Sequence, residues 1–288
     1  MRWATTVPPM RAPTIHAHGA DMPAIGCGTM AYPEPERAVD LISHALSIGY
    51  RHIDTARKYG SEHWVGEAIA GSGIPRDELW VTTKVTEEHA RADDFARSVE
   101  TSLSTLGLDH VDLLLIHWPQ PAVPLAETIG ALAKAKQDGL TRHIGVSNFT
   151  VALMDEAWAV TPEPLVTNQV EYHAYIRQDK LLAACDRLGM ILTCHVPLAR
   201  RHLLDDPVLN EIGTAHGRTA AQVALRWLVQ QPGVAAVPRG LEFFEVEEDL
   251  DLFDFALNDG EMERIGALRD RNLRLVDPPH RRPVWDVG

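Results

Sequence analysis

Short apolar runs recur along the chain, separated by stretches of helical sequence, and this alternation restricts the fold more than any other feature. The runs are AIGCGT (24–29), RHIDTA (51–56), LWVTTKV (79–85), VDLLLIH (111–117), HIGVSN (143–148), TNQVEYH (167–173), ILTCHVP (191–197) and VAAVPRG (234–240). Between them lie segments such as PERAVDLISHALSIG and DDFARSVETSLSTLG, with apolar residues at helical spacing and a glycine at the end. Strands that are apolar on both faces belong in a parallel sheet covered by helices. Eight strand–helix units in roughly 250 residues match a closed (β/α)8 barrel of the TIM type. A doubly wound sheet is the competing arrangement, but GCGT has too few glycines for a dinucleotide fingerprint and no helix opens behind it. Residues 14–23 are expected to form a short hairpin before the barrel and residues 1–13 a tail. The aperiodic, proline-rich NLRLVDPPHRRPVWDVG is expected to fold over the barrel as a C-terminal loop. One barrel domain, 14–288, is therefore expected.

Charge and composition then exclude whole classes of function. A net charge of −13 speaks against nucleic acid or an anionic membrane as partner, because both reward basic patches. Any bound phosphate has to be held by a local exception to that field. No apolar run reaches the roughly 18 residues of a membrane span, and MRWATTVPPMRAP has no apolar signal core. Cys27, Cys185 and Cys194 are three cysteines without a CxxC pair, so no disulfide framework is expected. A reduced, cytoplasmic protein is the expectation. The fourteen histidines form no HExxH and no close Cys/His cluster, so no metal site is expected.

In a barrel of this kind reactive groups gather at the C-terminal ends of the strands. Asp54 falls near the end of the second run and Tyr59 in the loop behind it; Lys84 ends the third and His117 the fourth. Ser147 and Asn148 end the fifth, and Gln169, Glu171 and Tyr172 occupy the sixth. Each has an ordinary explanation taken alone, as a cap, a packed ring or a snorkelling lysine. Four ionisable groups from consecutive strands facing one mouth do not.

Over nearly its whole length, from MPAIGCGT to PVWD, the chain resembles the aldo-keto reductase family. The resemblance rests on GYRHIDTARKYGSEHWVGEAI, LWVTTK, VDLLLIHWP, GLTRHIGVSNF and NQVEYHAYIRQ. Within that family it is most similar to bacterial 2,5-diketo-D-gluconate reductases, through the short connection HWPQPAVPL and the ending RLVDPP…PVWD. The resemblance implies a catalytic tetrad of Asp54, Tyr59, Lys84 and His117. Hydride passes from a reduced nicotinamide to a carbonyl carbon, and the oxygen needs a proton from Tyr59. A phenol has a reference pKa of about 10, and Lys84 is expected to pull it down. Asp54 is expected to keep Lys84 charged despite burial, while His117 directs a hydrogen bond to the substrate oxygen.

The resemblance also implies a pocket for NADPH or NADH. Ser147, Asn148 and Gln169 correspond to groups on the nicotinamide carboxamide, and Gly28, Thr29, Met30, Asp54 and Leu198 line the remainder. His195 stands where the family usually has a stacking tyrosine. After the last run the family commonly has a lysine–serine pair and a later arginine on the 2′-phosphate; VPRGLEFFEVEEDL offers Arg239, Gly240 and Glu245 instead. A carboxylate about 4 Å from a phosphate charge repels it by roughly 4 kcal/mol at an effective dielectric of 20. The same group accepts a hydrogen bond from a 2′-hydroxyl, so a weakened preference for NADPH is expected. Asp249 falls at an adenine contact.

Met30 and Trp118 are expected to flank the carbonyl beside Tyr59 and His117, with an open mouth suited to small polar carbonyls such as keto-sugars or dicarbonyls. Many reductases of this type are monomers, and a monomer is expected. Two other readings compete: a non-catalytic nicotinamide-nucleotide-binding regulatory protein on the same scaffold, and a barrel hydrolase or isomerase. The first is opposed by the complete tetrad. The second needs paired carboxylates or a metal at the mouth.

Overall fold

The hairpin comes first. In the computed structural model, which describes residues 11–32 and 34–286, β1 (Thr14–Ala17) pairs antiparallel with β2 (Ala20–Pro23). Gly19 turns the chain at φ +81°, a conformation that costs glycine nothing. Eight strands follow: β3 (Cys27–Gly28), β4 (His52–Asp54), β5 (Trp80–Val85), β6 (Val111–Ile116), β7 (Thr141–Ser147), β8 (Leu165–Glu171), β9 (Ile191–His195) and β10 (Val234–Ala236). Each pairs in parallel with its sequence neighbour.

The ends of this sheet meet. Gly26 N donates to Ala236 O at 2.9 Å and Ala236 N donates to Ala24 O at 2.9 Å, with a parallel bridge from Ile25 to Ala236. The expected (β/α)8 barrel is thus closed. Gly28 permits the closure: a Cβ there would lie 2.8 Å from the Val237 carbonyl oxygen, so only glycine lets the backbones approach.

The helices are α1 (Pro35–Ile48), α2 (Glu62–Ser72), α3 (Ala92–Leu106), α4 (Leu125–Gln137), α5 (Val151–Val160), α6 (Asp179–Leu188), α7 (Pro207–His216), α8 (Ala220–Val229), α9 (Phe243–Leu250) and α10 (Asp259–Ala267). One follows each strand from β3 to β8, and both α7 and α8 follow β9. The strands are shorter than the apolar runs, because the last residues of several runs leave the ladder and become mouth loops. Pro197, Arg239 and Gly240 lie outside β9 and β10 for that reason.

Side-chain alternation divides the core in two. Leu113 and Leu115 of β6 point into the barrel with Trp80, Val166, Ile191 and Ala235, where Ala17, Ala20 and Met22 of the hairpin plug the lower end. Leu114 and Ile116 point outward against the helices. Each fully buried leucine of this kind contributes about 2 kcal/mol. With one end sealed by apolar side chains, polar chemistry is left to the other. The C-terminal segment runs over that open end without helix or strand from Asn272 to Asp286, as the proline-rich sequence suggested.

Candidate active site

Parallel strands bring their C-terminal ends to one rim, so residues far apart in sequence converge there. Lys84, on β5, is fully buried. Its Nζ donates to Asp54 Oδ1 of β4 at 2.6 Å and to the Thr55 carbonyl at 2.9 Å. The other oxygen of Asp54 accepts from Gln169 Nε2 at 2.7 Å, so both lone-pair edges of the carboxylate are used. Lys84 Nζ also lies 5.0 Å from the centroid of the Tyr59 ring, which meets the His117 ring edge-on at 5.6 Å. The four groups singled out in the sequence form one cluster.

Their protonation follows from burial and neighbours. Burial alone would strip Lys84 of its proton, but Asp54 and Tyr59 outweigh it and hold the ammonium above its ordinary range. Burial, with the Lys84, Arg281 and Lys58 charges behind it, keeps His117 neutral, its pKa well below the ordinary value. Tyr59 corrects an expectation. Burial, aided by Asp54, pushes the phenol above 10 although Lys84 pulls the other way. The lysine therefore limits the rise and does not reverse it, because an enclosed phenolate loses more hydration than one nearby ammonium restores.

The expected cofactor residues divide into a wall and a backing layer. Asn148 adopts a left-handed conformation at φ 61°, and its Nδ2 donates to the His117 carbonyl (2.9 Å) and to Ser147 Oγ (3.0 Å). The carbonyl partner fixes the amide orientation, so Oδ1 is an acceptor and His195 Nε2, 3.0 Å away, donates to it. Burial draws His195 down to about 4. At neutral pH it is a neutral ring tied to Asn148. Ser147 Oγ donates to the Gln169 carbonyl at 2.7 Å. Ser147, Lys84 and Gly240 do not line the cavity; they stand behind it. A Cβ at Gly240 would meet Val246 N at 2.8 Å, so that glycine serves the approach of α9.

The cavity over the cluster has a volume of about 1010 Å³ and is lined by Gly28, Thr29, Met30, Asp54, Tyr59, His117, Trp118, Asn148, Gln169, His195, Leu198, Arg239, Glu245 and Asp249, all of them anticipated. Asp249 is buried; burial and the neighbouring Glu245 and Glu248 push its carboxyl well above the usual range. A protonated acid both donates and accepts.

The far end differs from expectation. Glu245 Oε2 accepts from Leu241 N (2.8 Å) and Glu242 N (3.3 Å), closing the first turn of α9 as a capping box. Its Oε1 pairs with Arg201, a cavity residue that sequence reasoning passed over together with Arg200, Lys58 and Arg281. The doublet Arg200–Arg201, just past a barrel strand in an acidic chain, was the available signal. Arg239 donates to the Ala31 carbonyl at 2.7 Å and also to that of Met30. Val196, Ala199, Arg200 and Arg201 take positive φ values of 52°, 47°, 49° and 74° without being glycine. Such backbone costs of order 1–3 kcal/mol per residue and collects at functional sites.

The donor set fits a nicotinamide dinucleotide: three arginines at one end, amide side chains midway, and the Tyr59 cluster at the other. Among the described residues no group of three or more His, Cys, Asp or Glu side chains could hold a metal ion. All three cysteines are buried and free. No described helix is long and apolar enough to cross a membrane.

Comparison with known proteins is consistent with this geometry. The model of the aldo/keto reductase family matches residues 24–270. Methylglyoxal reductase DkgB of Escherichia coli O157:H7 is 40% identical over 268 residues, covering 92% of this chain and 99% of the relative. A crystal structure assigned as a 2,5-diketo-D-gluconic acid reductase B superposes with a TM-score of 0.93 at 46% identity, over 96% of this chain and 98% of that one. A Bombyx mori aldo-keto reductase in complex with NADP superposes with a TM-score of 0.87 at 30% identity, over 93% and 95% of the two chains.

Proposed function

The chain belongs to the aldo/keto reductase family, and on that premise we propose that Tyr59 is the proton donor in an NAD(P)H-dependent reduction of small polar carbonyls to alcohols. The observation that carries this reading is the Lys84–Asp54 pair, 2.6 Å apart and buried beside Tyr59. The chain is an oxidoreductase. A reduced nicotinamide supplies the hydride when bound, with Asn148 and Gln169 on its amide and Arg200, Arg201 and Arg239 toward its phosphates.

The residues' own work follows from their charges. His117 is neutral and has no second proton to give near pH 7, so it orients the carbonyl oxygen by a hydrogen bond and leaves the acid role to Tyr59. The raised pKa of Tyr59 does not oppose this. A developing alkoxide is a far stronger base than a phenolate, so the proton moves downhill. Lys84 then meets the phenolate with a full positive charge, kept by Asp54. Burial makes that attraction stronger than it would be in water.

Keto-sugars and dicarbonyls are the proposed substrates, in keeping with Met30 at the open rim and the names of the relatives. Arg201 offsets the Glu245 charge that was expected to repel the 2′-phosphate, so both cofactors are accepted and NADPH is not favoured a hundredfold. We take the protein as a cytoplasmic monomer, with residues 14–288 as one barrel domain. Nothing in the site favours a non-catalytic nucleotide-binding role. The test is oxidation of NADPH and of NADH in the presence of methylglyoxal, a keto-sugar acid and an aromatic aldehyde. Carbonyl-dependent oxidation is expected with the small polar compounds; none with any carbonyl refutes the reading.

A further inference from the structure

Glu171 closes β8 two residues beyond Gln169 and has only 1% of its surface exposed, yet the proposed chemistry does not use it. Its carboxylate is engaged by the C-terminal segment. Oε1 accepts the backbone N–H of Leu275 at 2.6 Å and Oε2 that of Val276 at 2.8 Å. His173 stands 3.1 Å from Oε1. Its Nδ1 accepts from Tyr175 N at 3.2 Å, which places the ring proton on Nε2, pointing at Glu171. Burial would raise this carboxyl, but His173 and the two amides outweigh it and hold it ionised below the ordinary value. Bonds from amides to a charged carboxylate are roughly twice as strong as neutral ones.

What the anchor holds matters for selection. The segment has no helix or strand of its own from Asn272 to Asp286, so its height over the mouth depends on such ties. Val276 lines the cavity, and so does Arg281. The Arg281 guanidinium sits 4.9 Å above the Trp118 ring, and Trp285 meets the same ring edge-on at 6.0 Å. Trp118 follows His117 directly. The substrate side of the site is thus roofed by a segment that Glu171 ties down at Leu275 and Val276, with Arg281 further along it paired to Glu87 at 2.9 Å.

We propose that Glu171 is a positioning residue for carbonyl selection: by capturing two consecutive backbone N–H groups it sets the C-terminal segment, with Val276 and Arg281, over Trp118 and His117. It touches neither substrate nor cofactor. The proposal rests on the reduction described above and names which part of the chain shapes its substrate side.

The experiment compares the full chain, Glu171→Gln, the chain ended at Arg274, and Glu171→Gln within that shortened chain. Steady-state kinetics with methylglyoxal are read beside NADPH affinity from quenching of protein fluorescence. Glu171→Gln turns one of two acceptors into a donor facing an N–H. It should raise KM about tenfold with kcat within threefold and NADPH affinity unchanged. Ending the chain at Arg274 should give a similar rise, and adding Glu171→Gln there should change nothing further. A Glu171→Gln effect that persists undiminished in the shortened chain overturns the proposal, as does equal loss of kcat and NADPH affinity. Should Glu171→Gln fail to fold, Val276→Pro removes one donor from the loop side and must give the same KM rise. Limited trypsin cleavage after Arg274 and Arg281 needs no turnover. Faster cutting in either variant supports the anchor and unchanged cutting refutes it, even if the wild-type chain reduces no carbonyl and the functional reading falls.

Discussion

At the Tyr59 end of the cavity the polar groups sit on parallel strands or just beyond them, while at the Arg239 end they come from the loops that follow β9 and β10. At the first end Lys84 and Asp54 are buried and the carboxylate is fully engaged: Asp54 has both oxygens occupied, by Lys84 and Gln169. The second is open, with Arg201 more than half exposed while paired to Glu245. Ladder hydrogen bonds fix a strand residue to within fractions of an ångström, and burial magnifies each charge. A loop arginine in water gains little from one ion pair. Chemistry that fails when an atom moves belongs at the first end, and affinity summed from several moderate contacts belongs at the second.

Substitutions should expose that difference. Asp54→Asn keeps the shape but removes the charge that holds the Lys84 proton. It should lower kcat/KM about 10³-fold with NADPH affinity nearly unchanged; a loss below tenfold would detach Asp54 from the chemistry. Acid should unfold the protein through its buried histidines, inside the barrel as well as at the mouth. His52, 1% exposed, is depressed by burial from 6.5 to about 4. A depressed histidine contributes stability above its unfolded pKa and loses it as pH falls from 6.5 toward the folded value. That is about 3 kcal/mol for His52 alone, with His117 and His195 acting in the same direction. Urea unfolding at pH 7 and pH 4.5 should show the loss, and His52→Asn should flatten it; an equal slope in that variant would contradict the assignment. The smallest effect is expected at the open end. Glu245→Gln frees Arg201 and should shift the NADPH-to-NADH ratio of kcat/KM about tenfold toward NADPH. A shift toward NADH would reverse the role given to Glu245.

The same division explains what the sequence revealed. Strands announce themselves by apolar runs, and a barrel puts their ends on one rim, so Asp54, Lys84, His117, Asn148 and Gln169 could be placed together before any coordinates. Loop geometry has no comparable period. Nothing in VPLARR signals that Val196, Ala199, Arg200 and Arg201 adopt left-handed backbone, since no glycine marks the turn. The Arg201–Glu245 pair joins residues 44 positions apart across two irregular segments, and it altered the meaning of Glu245 from a lone repulsive charge to a neutralised helix cap. Tyr59 shows the limit of reasoning by neighbour charge. Lys84 was visible as a partner, but the loss of hydration around the phenol that outweighs it was not. Glu171 was visible as a polar residue in an apolar run, while its partners, the amides of Leu275 and Val276, carry no sequence signal at all.

The claim on which the mechanism rests is that one phenolic proton, held beside Lys84, completes each reduction. Tyr59→Phe removes that oxygen and leaves the ring. Its NADPH affinity by fluorescence quenching, and its single-turnover rate with methylglyoxal, should be measured together. The mechanism predicts unchanged NADPH affinity and a rate at least about 10³-fold lower. A rate within tenfold of the wild-type chain, with cofactor bound as tightly, would show that the proton comes from elsewhere.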